Sequence, residues 1–406
     1  MKKQLQKCLL ITSAILFSSM ISNAQWVQVG RVYGGTIAND GAVSFSIGTK
    51  GYVVAGSSTN NMYVYDTLAN SWSLVGSIPD AAGHAFAMGF AINGKGYVVG
   101  GDTSGIPVNT VWEFDPVAVN HWTQKHDFPA GARDAGFAFA LNNYAYVGAG
   151  NDNVNLYNDI WKYDPVLDSW TQLSQSVPET GLIFPTSFAI GNKGYILTGG
   201  IPPFGVSEIT DMWCLDGADD SLRVKANFGG AGRQAAFAFS NGSFGYVGGG
   251  QSNYTANYSD MWMYDPVNDV WSVSISTPMF GAAWSSTFAI GDAGYAGIGA
   301  KFVGANLQGD DQFYRFRMDV TTGIKNVTDN KLSYTLYPDP ASDNFHISGN
   351  IHSSAHVLIN DVEGRTVIEE TIPESKTISV GTLSPGLYTI FIKDGDNLTR
   401  GKFLKN

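Results

Sequence analysis

The sequence has little cysteine and few charged residues. Only Cys8 and Cys214 occur among 406 residues, so neither a disulfide framework nor a multi-cysteine metal site can form once an N-terminal leader is removed. Charged residues make up 15 % of the chain, and the formal net charge is -11. Affinity for nucleic acid depends mainly on clustered lysine and arginine, so this balance argues against a nucleic-acid partner and against an anionic membrane surface.

The chain also lacks the short motifs that carry common chemistries. No HExxH, P-loop, nucleophile-elbow or CxxC pattern is present, and each of those chemistries requires its own spacing. Only His84, His121 and His126 of the six histidines precede the C-terminal segment. We therefore expect no catalytic residue, no metal and no cofactor. Cys214 lies in an apolar predicted strand, where a thiol more often packs than reacts.

One long hydrophobic run occurs, close to the N-terminus. Three lysines precede an apolar run over residues 8–21, which ends in Ser22, Asn23 and Ala24. This is the three-part organisation of a secretory signal peptide with cleavage after Ala24. A membrane anchor is the alternative, but the run is shorter than the roughly 20 residues that span a bilayer. We predict a signal peptide over residues 1–24 and an exported mature chain without a transmembrane segment.

Glycine and aromatic residues are abundant, and they occur in an internal repeat. With 48 glycines and 13 % aromatics, the composition favours short strands joined by tight turns over long helices. Six residues after a landmark phenylalanine comes a small residue followed by tyrosine, and the tyrosines are 45, 49, 49, 51 and 49 residues apart. The pairs are Gly51-Tyr52, Gly96-Tyr97, Ala145-Tyr146, Gly194-Tyr195, Gly245-Tyr246 and Gly294-Tyr295.

Each repeat contains signals for four strands. Two small residues follow each tyrosine run, and an aromatic strand then leads into an Asp-Pro turn, as at residues 159–165 and 260–266. A closing tryptophan comes last, at Trp72, Trp122, Trp170 and Trp271. Four strands in about 49 residues are typical of one blade of a β-propeller.

This repeat resembles the kelch repeat in its double glycine, its Trp-x-Tyr-Asp-Pro strand and its closing tryptophan. The resemblance covers residues 25–322 and implies an all-β kelch-type propeller. Leu222 replaces the closing tryptophan in the fourth repeat, and no such tryptophan follows the sixth. Trp26 lies 46 residues before Trp72, so we expect the N-terminal segment to supply the outer strand of the last blade. Six blades are predicted, with seven as the alternative.

The C-terminal segment differs from the repeats. Residues 323–332 are polar and predict a linker, whereas residues 333–406 alternate short strands with glycine and proline turns, as a small sandwich does. Its landmarks are residues 337–340 (Tyr-Pro-Asp-Pro), 361–365 (Asp-x-x-Gly-Arg), 383–388 (Leu-x-x-Gly-x-Tyr) and a basic last strand. They resemble the type A C-terminal sorting domain of the type IX secretion system, although Asp339 replaces the usual asparagine. The resemblance implies a β-sandwich sorting domain, a partner in the type IX machinery, and a secreted or cell-surface location.

A candidate ligand site comes from the position six residues before each landmark phenylalanine. The resemblance to kelch propellers implies that this position lies at the rim of the axial channel, where arginines bind ligand in several members. An arginine and aromatic lip would suit a carboxylated sugar or an acidic peptide. The equally open alternative is that the arginines bond loop carbonyls between blades. The residues predicted to line one mouth are His84, Arg133, Asp134, Arg233, Gln234 and Trp284.

Two further groups of acidic residues allow alternative interpretations. Asp159, Asp211 and Asp260 each lie two residues before a tryptophan, and this recurrence favours a turn or strand-cap role over catalysis. Residues 151–155 offer oxygen ligands that could suit calcium, but their spacing departs from the EF-hand loop. A polar turn is therefore the favoured interpretation of that loop.

These observations predict an exported kelch-type propeller that acts as a non-catalytic binding module for carbohydrate or protein. The alternative is an enzyme, a sugar-acid mutarotase, epimerase or lyase, because kelch-type epimerases of acidic sugars share this architecture. That alternative depends on analogy of fold, and it would need an acid or base with a shifted pKa near Arg133 and Arg233. A purely structural surface module is the third hypothesis, and it predicts no ligand.

Overall fold

The structure is a computed structural model that forms two compact units, Met1–Asp319 and Val320–Asn406. The predicted signal peptide (1–24) and linker (323–332) lie outside the described residues. Every described element is a strand, which confirms the all-β prediction, and this part of the chain contains no helix able to cross a membrane. The described residues are 26–32, 40–80, 83–202, 207–253, 256–274, 276–279, 283–303, 306–317, 334–338, 340–349, 352, 355–361, 366–394 and 397–406.

The strands of the first unit follow one another in chain order. They are β1 (Trp26–Arg31), β2 (Val43–Ile47), β3 (Lys50–Val54), β4 (Asn61–Asp66), β5 (Ser71–Ser77), β6 (Met88–Ile92), β7 (Lys95–Val99), β8 (Asp102–Thr103), β9 (Ile106–Pro107), β10 (Val111–Phe114), β11 (Trp122–Gln124), β12 (Phe137–Leu141), β13 (Tyr144–Gly148), β14 (Asp159–Asp164), β15 (Ser169–Ser176), β16 (Thr186–Ile190), β17 (Lys193–Leu197), β18 (Gly200–Ile201), β19 (Ser207–Glu208), β20 (Met212–Asp216), β21 (Ser221–Val224), β22 (Phe237–Ser240), β23 (Gly245–Gly248), β24 (Gln251–Ser252), β25 (Ala256–Asn257), β26 (Met261–Asp265), β27 (Val270–Val273), β28 (Ser286–Ile290), β29 (Ala293–Val303) and β30 (Asn306–Arg317).

These strands form six four-stranded antiparallel sheets within the described residues, and the sheets close into a ring. The first strand of each sheet contacts the first strand of the next, in the cycle β2, β6, β12, β16, β22, β28 and back to β2. This is the arrangement of a β-propeller. We number the sheets along the chain: sheet 1 (β2 to β5), sheet 2 (β6, β7, β10, β11), sheet 3 (β12 to β15), sheet 4 (β16, β17, β20, β21), sheet 5 (β22, β23, β26, β27) and sheet 6 (β28, β29, β30, β1).

The landmark glycines permit the sheets to pack face to face. A Cβ atom on Gly96 in sheet 2 would lie 2.1 Å from a ring carbon of Phe45 in sheet 1. The landmark phenylalanine of every sheet but the second packs in this way on the landmark glycine of the next, while sheet 3 has Ala145 at that position. The core lies between sheets, as where Phe45 clusters with Val98 and Phe114. The repeated glycine therefore makes space for the ring of a neighbouring sheet.

The N-terminal strand completes sheet 6, as the spacing of the tryptophans predicted. β1 pairs antiparallel with β30, and Trp26 lies opposite Phe316. The Trp26 ring makes edge contacts with Phe237 and Phe239 of sheet 5, with ring centroids 6.1 and 6.2 Å apart. Both ends of the propeller chain thus share one sheet, which leaves no open edge at the point where the ring closes.

The second unit contains two antiparallel sheets that share one hydrophobic core. A three-stranded sheet has the order β31-β32-β35, and a four-stranded sheet has the order β34-β33-β36-β37. Phe345, Val357, Ile390 and Phe403 are among the buried side chains of this core. The strands are β31 (Tyr334–Tyr337), β32 (Asn344–Gly349), β33 (His356–Asn360), β34 (Thr366–Thr371), β35 (Thr377–Ser379), β36 (Gly386–Asp394) and β37 (Asn397–Lys405).

Replacing Trp26 by alanine should destabilise the first unit. The buried indole bridges sheets 5 and 6, so we expect Trp26→Ala to lower the free energy of unfolding by about 3 kcal/mol. All 10 tryptophans lie between Trp26 and Trp284, so the fluorescence change in a denaturant titration reports on this unit. The matched control is Val27→Ala in the same strand, where the side chain is 46 % exposed. Equal losses for both variants would contradict a closing role for the indole.

Candidate functional site

Six residues at the entrance of the first strands are joined by a closed circuit of backbone hydrogen bonds. Each N–H donates to the carbonyl oxygen of its counterpart in the preceding sheet, at distances from 2.8 to 3.3 Å, and the last oxygen, that of Trp284, accepts from Gly41. All six have left-handed backbones, with φ from 49° to 64°. We call this circuit the axial ring, and its residues are Gly41, Phe86, Ala135, Phe184, Ala235 and Trp284.

Small and large side chains alternate around the axial ring. Phe86, Phe184 and Trp284 come from sheets 2, 4 and 6, and their ring centroids are 5.3, 5.9 and 6.2 Å apart. The three side chains, here called the aromatic trio, are partly exposed. A Cβ atom on Gly41 would lie 2.5 Å from the Phe86 ring, so large side chains can occupy only alternate positions. The trio presents apolar surface at the centre of the ring.

The residues preceding the axial ring alternate in polarity. Asp40, Asp134 and Gln234 precede the small members, whereas alanine or isoleucine precedes the aromatic ones. Gln234 is fully buried, and neither atom of its amide has a hydrogen-bond partner within the described residues. Its Oε1 atom lies against the backbone of Gly200 in β18, within the connection between β17 and β20 of sheet 4. Each small position of the ring is thus flanked by a polar group.

Asp134 is a buried carboxyl with a perturbed pKa. Its side chain is 6 % exposed and accepts a hydrogen bond from the Asn151 amide. Burial and, secondarily, the nearby Asp102 carboxylate raise the pKa of Asp134 to about 7. Because burial and a like charge both disfavour the ionised form, this group can exchange a proton near neutral pH.

Arg133 lies inside sheet 3 and is not open to solvent. Its guanidinium is 1 % exposed, and Nη1 donates to Asp159 Oδ1 at 2.6 Å. The same group lies 3.9 Å from the Tyr157 ring centroid and 5.0 Å from that of Phe128. We call this surround the arginine socket, and its remaining hydrogen bonds go to the carbonyl oxygens of Ala149 and Ala130.

Sheet 5 repeats the arginine socket. Arg233 donates to both carboxylate oxygens of Asp260, at 2.7 and 2.9 Å, and lies between the rings of Phe228 and Tyr258. Burial acts to raise the pKa of Asp260, but hydrogen bonds from Arg233 and Trp262 outweigh it and lower the pKa. Both sockets therefore neutralise a buried guanidinium with a carboxylate at or immediately before the start of the third strand of the same sheet.

His84 occupies the equivalent position in sheet 2. The imidazole is fully buried, with Nδ1 2.7 Å from the Gly100 carbonyl oxygen and Nε2 2.7 Å from Asp80 Oδ2. The Trp112 indole also donates to Asp80, at 2.9 Å. An aspartate from the preceding loop thus performs here the role that Asp159 and Asp260 perform in sheets 3 and 5.

The structure differs in part from the mouth that the sequence predicted. His84, Arg133 and Arg233 lie inside their sheets and bond loop carbonyls, so the expectation that they line an open mouth is corrected. Asp159 and Asp260 bind these arginines and tryptophans rather than capping turns. Trp284 belongs to the axial ring, and Asp134 and Gln234 flank it. A ligand-binding role for all six predicted residues, His84, Arg133, Asp134, Arg233, Gln234 and Trp284, remains a prediction.

Sequence reasoning missed Phe86 and Phe184. They stand two residues after His84 and Leu182, just as Trp284 stands two residues after Ala282. An alternation of small and aromatic residues at that offset would have identified all three members of the trio. This alternation recurs in the sequence two residues after the position that holds His84, Arg133 and Arg233.

The loop considered for calcium is held by its own hydrogen bonds. Asp152 Oδ1 accepts from the backbone of Val154 and Asn155, and Oδ2 accepts from the Tyr157 hydroxyl. These bonds lower the pKa of Asp152, with the Tyr157 bond contributing most. Within the described residues no cluster of three metal-ligating side chains occurs. The arrangement is that of a polar turn.

Comparisons with known proteins agree with this geometry. The model of the KLHDC2/KLHL20/DRC7 Kelch-repeats domain matches residues 38–200, and that of the secretion system C-terminal sorting domain matches residues 335–406. The chain therefore contains kelch repeats and a C-terminal secretion sorting domain. The sorting domain indicates export through the type IX system to the cell surface or outside, and implies an interaction with that machinery.

A solved structure shares its fold with most of this chain. The structure titled "Structure of YjhT" aligns with a TM-score of 0.59 and 18 % identity, over 68 % of this chain and 94 % of that chain. At this identity the likeness concerns the fold alone. A comparison with curated proteins gives no match.

Removing the carboxylate of an arginine socket should destabilise the kelch unit. We expect Asp159→Ala to lower the free energy of unfolding by about 2 to 4 kcal/mol, because Arg133 is left buried without its counter-charge. The matched control is Asp211→Ala at the same repeat position of sheet 4, where Leu182 replaces the arginine. Its cost should stay within about 1 kcal/mol. Denaturant titration measures both, and equal costs would show that the socket contributes nothing.

Asp134 should make stability depend on pH. Its pKa is raised from 3.8 to about 7, so the folded state binds a proton that the unfolded state lacks between these values, and stability falls as pH rises through that window. Asp134→Asn retains the acceptor for Asn151 and removes the charge. We expect no gain at about pH 4 and a gain of roughly 3 kcal/mol at about pH 8. Unfolding titrations at both pH values test this, and a pH-independent difference would contradict it.

Proposed function

We propose that this exported kelch protein is a non-catalytic binding module that takes up carbohydrate at its axial ring. The domain organisation proposed with it is a signal peptide at 1–24, the propeller at 25–322, a linker at 323–332 and the sorting domain at 333–406. A protein is the alternative ligand for a surface-exposed propeller of this kind. The observation that carries the proposal is the aromatic trio.

The aromatic trio suits the apolar face of a sugar ring. Phe86, Phe184 and Trp284 are held on hydrogen-bonded backbone rather than on free loops, so their positions are fixed before a ligand arrives. Pyranose rings carry C–H groups on one face, which pack on aromatic surface, while neighbouring polar groups bind the hydroxyls. Preorganised aromatic surface loses little side-chain entropy when it binds.

The charges around the axial ring favour a neutral sugar over an acidic one. Asp40 precedes Gly41 of the ring, and Asp102 pairs with Ala85, which precedes Phe86. The guanidiniums of Arg133 and Arg233 are buried and already neutralised. Hydroxyl groups can donate hydrogen bonds to carboxylates, whereas a ligand carboxylate would be repelled by them. A carboxylated sugar is therefore no longer the preferred ligand.

The enzyme alternative also gains one supporting observation. Asp134, next to Arg133, has a pKa raised to about 7, which is the range in which a carboxyl can act as general acid or base at neutral pH. A sugar mutarotase, epimerase or lyase needs such a group. This hypothesis predicts turnover that is lost in Asp134→Asn, whereas the binding module predicts affinity without turnover.

A glycan array probed with the full mature chain tests the proposal. We expect binding to neutral oligosaccharides that is reduced roughly tenfold or more in Trp284→Leu, since aromatic stacking contributes on the order of 1 kcal/mol or more per ring. The matched control is Tyr144→Leu, because the Tyr144 side chain is also accessible (36 % exposed) but begins β13, which pairs with β12, and is not part of the axial ring.

The array results separate the hypotheses. Binding that Trp284→Leu weakens and Tyr144→Leu retains supports the axial ring as the site, and bound sugars are then tested for turnover with Asp134→Asn as the comparison. Binding that both variants retain would place the site elsewhere on the propeller. A blank array would contradict the carbohydrate proposal and favour a protein ligand or a structural role.

A further inference from the structure

Sheet 6 contains a pocket that the axial ring does not use. Its volume is about 190 Å3, and it lies between the chain leading into sheet 6 and the long β29–β30 hairpin. The lining combines apolar groups with a carboxylate, an amide and a phenol. Its principal residues are Pro278, Met279, Ile298, Asp310, Gln312 and Tyr314.

The register of the strands makes this pocket the counterpart of the arginine socket in sheet 3. Trp161 pairs with Val147 in sheet 3, and Tyr314 pairs with Ala296 in sheet 6, each opposite the residue that follows the landmark tyrosine. Counting from these pairs, Gln312 corresponds to Asp159, and Asp310 corresponds to Tyr157. Ile298 likewise corresponds to Ala149, whose carbonyl oxygen binds Arg133.

The sheet 6 socket has acceptors but no arginine of its own. The position of Arg133 and Arg233 is held by Ala282 in the sequence, which has no side chain long enough to fill a socket. Gln312 replaces the aspartate of the other sockets, but a carboxylate lies two residues earlier in the same strand, at Asp310. Asp310 is partly exposed and forms no ion pair with another described residue, although it accepts the backbone N–H of Gln312.

We infer that this pocket binds the guanidinium group of an arginine supplied by a ligand. The occupant takes the place that Arg133 and Arg233 occupy in their own sheets, with Asp310 as its counter-charge. The Gln312 side-chain oxygen already accepts the Tyr314 hydroxyl at 2.6 Å, and its second lone pair provides a further acceptor. The planar guanidinium fits because charge-assisted hydrogen bonds to a carboxylate are strong and directional. The site is independent of the proposed sugar site, because none of its lining residues belongs to the axial ring.

Lys301 distinguishes two sources of such an arginine. Its side chain also lines the pocket, so a free amino acid could place its carboxylate near this ammonium. An arginine within a peptide has no such carboxylate. Tighter binding of L-arginine than of N-acetyl-L-arginine amide would identify a free amino acid as the ligand, and equal or weaker binding would identify a peptide.

Calorimetric titration of the full mature chain tests the inference. The probe is N-acetyl-L-arginine amide, and its neutral isostere N-acetyl-L-citrulline amide is the matched control ligand. We expect the arginine probe to bind roughly tenfold more tightly than the citrulline probe, because only the former carries a charge for Asp310. Equal affinity for the two probes, or no binding of either, overturns the inference without any variant.

Three variants locate the binding. Asp310→Asn should lower the affinity for the arginine probe roughly tenfold. Gln312→Asp, which restores the aspartate of the other sockets, should raise that affinity several-fold. Asp219→Asn removes an equal charge from an exposed turn in sheet 4 and should leave the affinity unchanged. Arginine binding that Asp310→Asn does not alter would overturn the assignment to this pocket, and thermal unfolding of each variant verifies that it is folded.

Discussion

Six backbone hydrogen bonds, each passing from one sheet to the next, fix the start of every first strand at the axis. The circuit closes only if each residue turns its N–H and its carbonyl toward opposite neighbours, and the left-handed backbone provides that orientation. Five of the six residues are not glycine, so the chain accepts an unfavourable conformation at each of them. The packing between sheets repays this strain. The alternation of small and aromatic side chains follows, because six large groups cannot share one axis.

The architecture was predictable because it depends on residues that recur. The landmark glycine makes space for the phenylalanine of the preceding sheet in five of the six sheets. In sheet 3 the position is held by Ala145, which shares a core cluster with Phe90. The closing strand was predictable from Trp26. This tryptophan precedes the first repeat, and the sixth repeat lacks a closing tryptophan. In both cases, the residues that make one kind of contact recur in the sequence at the interval of the repeat.

The candidate site was less predictable, because its partners come from different parts of each repeat. The spacing of the arginines was compatible with two roles, binding a ligand or hydrogen-bonding loop carbonyls. The environment of Arg133 decides between these two roles. It combines Asp159 of β14, Tyr157 just before that strand and Phe128 of the loop that precedes Arg133. Burial and, secondarily, Asp102 of the β8–β9 hairpin raise the pKa of Asp134. No pattern within one repeat contains that proximity. Conversely, Asn39, His84, Leu182 and Ala282 identify from sequence alone the four sheets without an arginine at this position.

The pairing of β1 with β30 also determines when the propeller can be completed. Arg31 and Asp311, an ion pair across this sheet, are 280 residues apart in the chain, so the last sheet has the longest loop to close. During synthesis β1 has no pairing partner until the other five sheets and β30 have been made. Such long-range pairing slows folding and leaves strand edges open meanwhile. The closed ring therefore exists only once the whole propeller sequence is available, from Trp26 to the end of β30.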